Sequence, residues 1–557
     1  MSLARNTAVI GGLTLVSRIF GFARDLVITA ALGAGPVADA FNAALRFPNL
    51  FRRLFAEGAF SQAFVPVYSK ALAESGAEAA DQIARQSLSV LLLATAVLSA
   101  LAMAFMPWIN AALLFGYADD PQTLALANLL TRITMPYLVC MTAATLFAGV
   151  LNARSRFVLA AGAPILLNLS LLVAMWPTVA LILSAWHPLR GLSAYAETFE
   201  PEHAALVCSI AVLVSGVLQA AVVWFGAARS GADVKLTFPR VTPNVKRLVK
   251  LAIPAAIAGG ALQINLIVSQ AFASVEEGAI TYLANADRLY QIPLGLIGIA
   301  VGVSMLPRLS RLVQAEDHAG ARGALDEAVN LSMAFTLPAA AAMLAIPYFL
   351  YDGLFTRGQF TSEDARSVAD ALFHYGWGVP AFVLARIFAP AFFAREDTKA
   401  PMRYALISMA LNIVFGAALF FGLRAYGMPG FPGLAIATSA ASWLNVALML
   451  RALVARGAYG PTPAALFRFS RILLASAALF ALLAWAGVNR DMLQDVLVSK
   501  ERAVALLVLG GGVFYFALAF ALRAVTWSEV RRAFRREPKS PDTPANGGAG
   551  LPPGLDG

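Results

Sequence analysis

Stretches of mostly apolar residues recur through this chain, each long enough to cross a hydrocarbon layer about 30 Å thick as a helix of roughly 20 residues. They fall near 7–32, 37–68, 86–113, 123–151, 158–184, 204–227, 246–273, 279–306, 325–350, 366–393, 402–423, 432–455, 469–488 and 503–523. In lipid every backbone polar group must find its partner inside the span, so segments of this length are restricted to helices. Composition agrees, because 59% of the 557 residues are hydrophobic and only 13% are charged, whereas soluble domains carry about 25% charged residues. The mean hydropathy is +0.71. The expected fold class is an all-α polytopic membrane protein with about fourteen spans. Gly21, Pro48, Pro136, Pro254, Pro293 and Pro338 fall inside spans and are expected to break them where neighbouring helices satisfy the freed backbone groups. Met1–Val16 imitates a signal peptide, yet Arg18 and Arg24 cut its apolar run and the pattern resumes to Leu32. It reads as a first helix that is kept.

Positive charge orients the chain. With the N-terminus inside, the inner segments hold 27 of the 42 Lys and Arg residues and the outer loops 7, so the positive-inside rule places both ends in the cytoplasm. Much of the net charge of +10 is then contact with the cytoplasmic leaflet rather than with nucleic acid.

Two short matches recur at an offset of 241 residues: Val65-Pro66-Val67-Tyr68-Ser69-Lys70 with Leu306-Pro307-Arg308-Leu309-Ser310-Arg311, and Phe147-Ala148 with Ala153-Arg154 against Phe388-Ala389 with Ala394-Arg395. Both lie at the ends of corresponding spans, as a duplicated six-helix unit requires. An even number of spans gives both units one orientation, related by a pseudo-two-fold axis along the membrane normal. The expected organisation is an N-terminal lobe over 1–228, a C-terminal lobe over 229–456, two unrepeated helices within 457–525, and a Pro- and Gly-rich disordered cytoplasmic tail over 526–557.

Eight positive charges remain within the spans: Arg18, Arg24, Arg46, Arg52, Arg53, Arg132, Arg288 and Arg386. Each costs roughly 2.5–3.5 kcal/mol at the centre of a membrane helix unless it faces water, a partner or a ligand. The acids among them are Asp25, Asp39, Glu57 and Asp287, four against eight. A cavity with such a surplus suits an anion. Arginine stays protonated in a partly dry site and offers a planar fork to two phosphate oxygens, which fits pyrophosphate better than a point charge does. Arg18, Arg24, Arg52 and Arg288 are read as the binding site, Arg46 and Arg132 as snorkelling or structural, and Arg53 and Arg386 stand between these readings. A bend at Gly21 would bring Arg18 and Arg24 to one cavity. Asp39 is placed to neutralise Arg24, and Glu57 to pair with Arg53 or Arg52.

Other chemistry finds little support. Cys140 and Cys208 lie in apolar runs and read as small core side chains, and His187, His203, His318 and His374 are scattered without metal-ligand spacing. No nucleotide-binding loop or paired acidic motif marks an enzyme. No cofactor is expected. Were the anion carried across the membrane, the membrane potential, at roughly 2.3 kcal/mol per charge per 100 mV, could help reset the carrier, and whether a coupling ion also takes part is not written in the sequence.

Ser17-Arg18-Ile19-Phe20-Gly21-Phe22-Ala23-Arg24-Asp25, the run Asn49-Leu50-Phe51-Arg52-Arg53-Leu54-Phe55-Ala56-Glu57-Gly58-Ala59-Phe60-Ser61-Gln62-Ala63-Phe64-Val65-Pro66, and Ala286-Asp287-Arg288-Leu289-Tyr290-Gln291-Ile292-Pro293 resemble the signature segments of the MurJ/MviN family. These are lipid II flippases of bacterial peptidoglycan synthesis, within the superfamily of multidrug and oligosaccharidyl-lipid exporters. The resemblance implies fourteen helices, two six-helix lobes around a cationic cavity, and alternating access in the inner membrane. The substrate would be an undecaprenyl-pyrophosphate-linked disaccharide-pentapeptide, with membrane lipids and cell-wall synthesis proteins as further partners. It also implies that Arg18, Arg24, Asp39, Arg52, Glu57 and Arg288 match essential positions, that Arg386 is the basic residue of helix 10, and that the last two helices form a groove for the lipid tail. The residues themselves leave three alternatives open: an exporter of another lipid-linked sugar or of drugs, a non-transporting cell-wall scaffold, and a membrane transferase. A drug exporter for cations would want acidic cavity residues, and the surplus here is basic.

Overall fold

Among the described residues every regular element is helical, as the backbone argument requires. The computed structural model describes residues 3–51, 60–184, 199–497 and 499–526. The helices in order are α1 (Leu3–Leu32), α2 (Pro36–Phe51), α3 (Phe60–Glu74), α4 (Gly76–Leu113), α5 (Pro121–Thr134), α6 (Tyr137–Ala153), α7 (Phe157–Ala174), α8 (Trp176–Ser184), α9 (Pro201–Arg229) and α10 (Pro243–Ala273). They continue as α11 (Ala279–Gln314), α12 (His318–Ala345), α13 (Pro347–Phe355), α14 (Ser362–Gly376), α15 (Val379–Phe393), α16 (Lys399–Ala425), α17 (Phe431–Ala455), α18 (Pro463–Val488), α19 (Arg490–Leu497) and α20 (Lys500–Ala521). Local chemistry sets several starts: Asp120 accepts from the amides of Gln122 and Thr123, Thr361 and Asp364 form a reciprocal capping box, and Thr242 and Thr462 cap helices that begin with proline.

Among the described residues eight single helices, and α5 with α6 taken together, are long and apolar enough to cross a membrane, which makes nine, or ten if α14 and α15, bent by 41° at their junction, count as one more. On α4 the exposed residues Leu93, Val97, Leu101 and Phe105 recur every four positions, the stripe of a helix that faces lipid. Of the expected breaks, only Pro136 interrupts a helix. Pro48, Pro293 and Pro338 lie inside continuous helices, as do Gly21 and Pro254, because a proline removes a single intrahelical bond that packed neighbours can replace. The other interruptions fall at Met175, Ile346 and Trp377-Gly378. The tail beyond Thr526 and most of the 185–203 loop lie outside the described residues.

Packing differs between the two ends of the bundle. At the end remote from residues 3 and 526, one apolar core takes Val27, Phe41 and Tyr117 from α1–α9 together with Ile280, Tyr351, Phe360 and Phe431 from the later helices. Among the described residues the opposite end has two cores. One is built on Phe64, Tyr68, Ile83, Phe147 and Val150, the other on Leu309, Leu325, Phe388, Ala391 and Tyr459. Phe147 and Phe388 are the residues that the 241-residue offset pairs. A fourth core joins α12 and α13 to α18 and α20.

The offset also shows in polar contacts. Arg154 Nη1 donates to the Ser230 carbonyl at 3.0 Å, just past α9, and Arg395 Nη2 donates to the Ala458 carbonyl at 3.1 Å, just past α17. Two buried carboxylates hold the segments that follow. Asp81 accepts from Tyr68 Oη at 2.6 Å and from the Asp233 amide at 2.9 Å. Asp326 accepts from Tyr459 Oη at 2.9 Å and from Thr462 Oγ1 at 2.7 Å. In the loop between α15 and α16, the Ala400 amide and Arg456 hold the Asp397 carboxyl below the usual carboxylate range.

Candidate functional site: arginines between two helices

The arginines of α1 meet α11. Arg24 donates to Asp25 Oδ1 through Nε at 3.0 Å and Nη2 at 2.6 Å, and through Nη1 to Asn168 Oδ1 at 2.8 Å. Asn168 of α7 is buried and donates back to the Ser17 carbonyl at 2.9 Å, so Arg24 is fixed against the helix packed beside α1. Across the gap, Arg288 Nη1 lies 3.4 Å from Asp25 Oδ1. One carboxylate oxygen is therefore shared by two guanidinium groups from different halves of the chain. Arg24 and Arg288 keep 22% and 31% of their side chains exposed against 14% for Asp25, so the cations still face the space between the helices.

Arg18 stands two turns along the same helix from Asp25, about 10 Å on an ideal axis. It is exposed and makes no hydrogen bond with the described residues. Its guanidinium lies against Gly295 of α11, where a Cβ would fall well inside van der Waals contact of its terminal atoms. The helices run antiparallel here, Arg18 beside Gly295 and Asp25 beside Arg288. They are not packed side by side, and the long side chains span the opening. Gly295→Ala is expected to push the Arg18 head aside while leaving the fold intact, because the displaced group is the free end of a flexible side chain. A Tm within about 2 °C of the parent together with transport reduced at least tenfold is the outcome expected, read by thermal unfolding and by rescue of a depleted strain.

Other expected residues are placed elsewhere. Asp39 does not neutralise Arg24. It is fully buried, its Oδ1 accepting from the Thr281 amide at 2.8 Å and hydroxyl at 2.6 Å, and its Oδ2 from Tyr117 Oη at 2.7 Å. Thr281 lies in the first turn of α11, so Asp39 places a carboxylate where the unpaired amides of a helix N-terminus favour negative charge. The physical reason for the difference is height: Arg24 is eight residues before the end of α1, about 12 Å below the level at which α2 starts. Arg52, Arg53 and Glu57 lie outside the described residues. Arg386 is exposed on α15 and makes no hydrogen bond or ion pair with the described residues. Arg46 donates to the Leu266 carbonyl at 2.9 Å and Arg132 to the Met103 carbonyl at 3.1 Å, as structural residues do.

Sequence reasoning missed Asn168 and left Asp25 outside the site proper. A lone amide in the apolar run Pro164–Ala174 was the available signal for the first, and its neutrality hid it. Tyr117 and Thr281 offered no signal at all. A separate cavity of about 770 Å³ opens between α3, α4 and the start of α10, lined by Pro66, Lys70, Gln82, Gln86 and Arg247 among others. None of the arginines between α1 and α11 borders it.

Asp39, Tyr117 and Thr281 also close the remote end of the bundle. The Gln359 amide donates to the Ala30 carbonyl at 2.8 Å, and Gly33, at φ +65°, passes beneath the Gln359 carbonyl so closely that any Cβ would collide with it. The Gly116 amide donates to Ser274 Oγ at 3.1 Å, and Phe22 meets Phe355 edge to face at 5.8 Å.

The fold is that of helical membrane transporters. A solved structure of Lipid II flippase MurJ in an inward closed conformation superposes with a TM-score of 0.71, covering 93% of this chain and 99% of that one at 23% identity. An inward-facing multidrug resistance transporter of the MATE family, from the MOP superfamily, superposes with a TM-score of 0.61 over 81% of this chain and 98% of its own, at 12% identity. Sequence narrows the class. Residues 28–506 match the family model described as Lipid II flippase MurJ. A protein of Rhizobium meliloti (strain 1021) named "Probable lipid II flippase MurJ" is 40% identical over 96% of this chain and 97% of its own length. "Lipid II flippase MurJ" of Burkholderia cenocepacia is 34% identical over 88% and 91%. The chain belongs to the lipid II flippase MurJ family.

Proposed function

We propose that the protein carries lipid II from the cytoplasmic to the periplasmic leaflet of the bacterial inner membrane by alternating access. The observation that carries this reading is the shared Asp25 oxygen between Arg24 and Arg288, with Arg18 exposed on the same opening. Three guanidinium groups against one carboxylate leave a surplus of positive charge where a pyrophosphate can lie. Asp25 holds the cations together until a phosphate, with more charge and more oxygens, displaces it. Arg24 stays aimed because Asn168 holds it from behind. The binding is physical throughout, and no bond of the substrate is broken.

In this reading the helix pairs α2/α3, α5/α6, α7/α8, α12/α13 and α14/α15 are each one span and α19 is none, which gives fourteen. The first six spans form one lobe, the next six the other, and both termini are cytoplasmic. The matched contacts of Arg154 and Arg395 support the duplication. A common core at the periplasmic end and two cores at the cytoplasmic end support an inward-oriented state. The isoprenoid tail would lie beside α18 and α20, whose Leu474, Leu509 and Val513 are exposed. Arg52, Arg53, Glu57 and Arg386 are proposed as further contacts to the headgroup, and the membrane potential or a coupling ion as the means of resetting the carrier.

Depletion in cells tests the function directly. Lipid II is expected to accumulate in the cytoplasmic leaflet, with its exposure to an external lipid II-cleaving toxin falling at least tenfold. Translocation that continues undiminished would overturn the reading.

A further inference from the structure

The segment between α9 and α10, residues 230–242, has no regular structure yet is firmly held. Arg85 Nε donates to the Asp233 carbonyl at 2.6 Å, the Thr237 amide donates to Ser89 Oγ at 2.9 Å, and Thr242 Oγ1 donates to Gln86 Oε1 at 2.7 Å. Ala232 and Val234 are buried against the α3–α4 side of the bundle. Beyond them the apolar residues turn outward: Leu236 is 69% exposed, Phe238 80% and Val241 73%. Few of the described side chains combine such size with such exposure on a segment that cannot itself cross a membrane.

Depth identifies what these side chains meet. Ser89, which holds Thr237, is one helical turn, about 6 Å, ahead of Leu93. Leu93 begins the exposed apolar stripe of α4 that faces lipid. On the other side, Trp224 and Phe225 are half-exposed in the last turns of α9, and aromatic residues of this kind mark the membrane interface. The segment therefore lies at headgroup level. Its charge is positive: Lys235, Arg240, Lys246, Arg247 and Lys250 are exposed, while the nearby acid Asp233 is already paired with Arg85 at 3.2 Å and Lys235 at 3.1 Å.

We infer that the α9–α10 segment is a membrane-surface anchor. It seats Leu236, Phe238 and Val241 at the boundary between headgroups and acyl chains of the leaflet nearest the termini, and sets Lys235 and Arg240 on the phosphates of anionic lipids. Because the segment joins the two halves of the chain, the anchor fixes the level of the joint on which they move. It holds whatever headgroup the carrier transports.

The test uses the full chain with Cys140→Ala and Cys208→Ala, a cysteine in place of Phe238 labelled with an environment-sensitive nitrobenzoxadiazole dye, and Leu236→Cys as a second labelling position. In nanodiscs containing phosphatidylglycerol, the emission is expected to shift to the blue and to be quenched by lipids carrying a nitroxide at the headgroup or upper acyl chain, several-fold more than in phosphatidylcholine alone. Lys235→Glu with Arg240→Glu is expected to remove that dependence. Labels at both positions that aqueous iodide quenches equally in the two lipids would overturn the proposal. So would labels open to water in nanodiscs but shielded in native membranes, which would make the surface a protein dock.

Discussion

Alanine at both Arg24 and Arg288 is expected to abolish rescue of a strain depleted of the protein and to weaken binding of lipid II by two to four orders of magnitude. Each guanidinium that grips a phosphate contributes a charge-assisted hydrogen bond of about 1.5–3 kcal/mol, and two lost together amount to roughly 3–6 kcal/mol at 1.4 kcal/mol per tenfold. The two single variants should not sum to the double one, because the partners share Asp25 and either arginine alone still compensates its charge. Lysine at both positions keeps the charge and loses the fork, so an intermediate loss is expected. Binding would be measured on purified protein in nanodiscs, with helical content checked by circular dichroism. Affinity within twofold of the parent in the double alanine variant would remove these residues from the site.

The second large effect is expected at Asp39. Asp39→Ala leaves the Thr281 amide, the Thr281 hydroxyl and the Tyr117 hydroxyl without their acceptor. A buried donor left unpaired costs about 1–3 kcal/mol, so with three of them the contacts that Asp39 makes with α11 and Tyr117 should weaken by roughly 3–9 kcal/mol. Parting of the remote end would let water satisfy these groups, so the variant is expected to spend more time parted. Spin labels at Ala34→Cys and Glu363→Cys should report a second, longer distance in it. Tyr117→Phe, which keeps the ring and loses one bond, should shift the distribution by about 1 kcal/mol in the same direction. An unchanged distance distribution in Asp39→Ala would mean that this carboxylate does not hold the end closed.

How much of this was legible in the sequence depended on how strongly each residue's cost restricts its position. Arg24 and Arg288 converge as expected, since a guanidinium within a span has few places to go. Asp39 obeys the same cost, but a carboxylate can be compensated by amides and hydroxyls as well as by arginine, and those partners lie 78 and 242 residues away. Asn168 carries no charge and so drew no attention, although it aims Arg24. Prolines misled for a related reason: Pro293 and Pro338 each remove one bond from a long helix, a local cost that tertiary packing absorbs. The 241-residue offset was more informative than its few matched letters, because Arg154 and Arg395 each reach a carbonyl just past a later helix, α9 and α17.

The single core at one end of the bundle has a kinetic consequence. To open there, the protein must divide a packed interior that includes Phe22, Phe355 and Phe360, and each large apolar side chain exposed costs about 1.5–3 kcal/mol. Opening at the other end divides no such common interior among the described residues, whose two cores there are separate. The dwell times of the two states are therefore unequal, and the parted remote end is the brief one. A small molecule that fills that cleft would capture a short-lived state and hold it, and its apparent affinity would be reduced by the rarity of the state it needs.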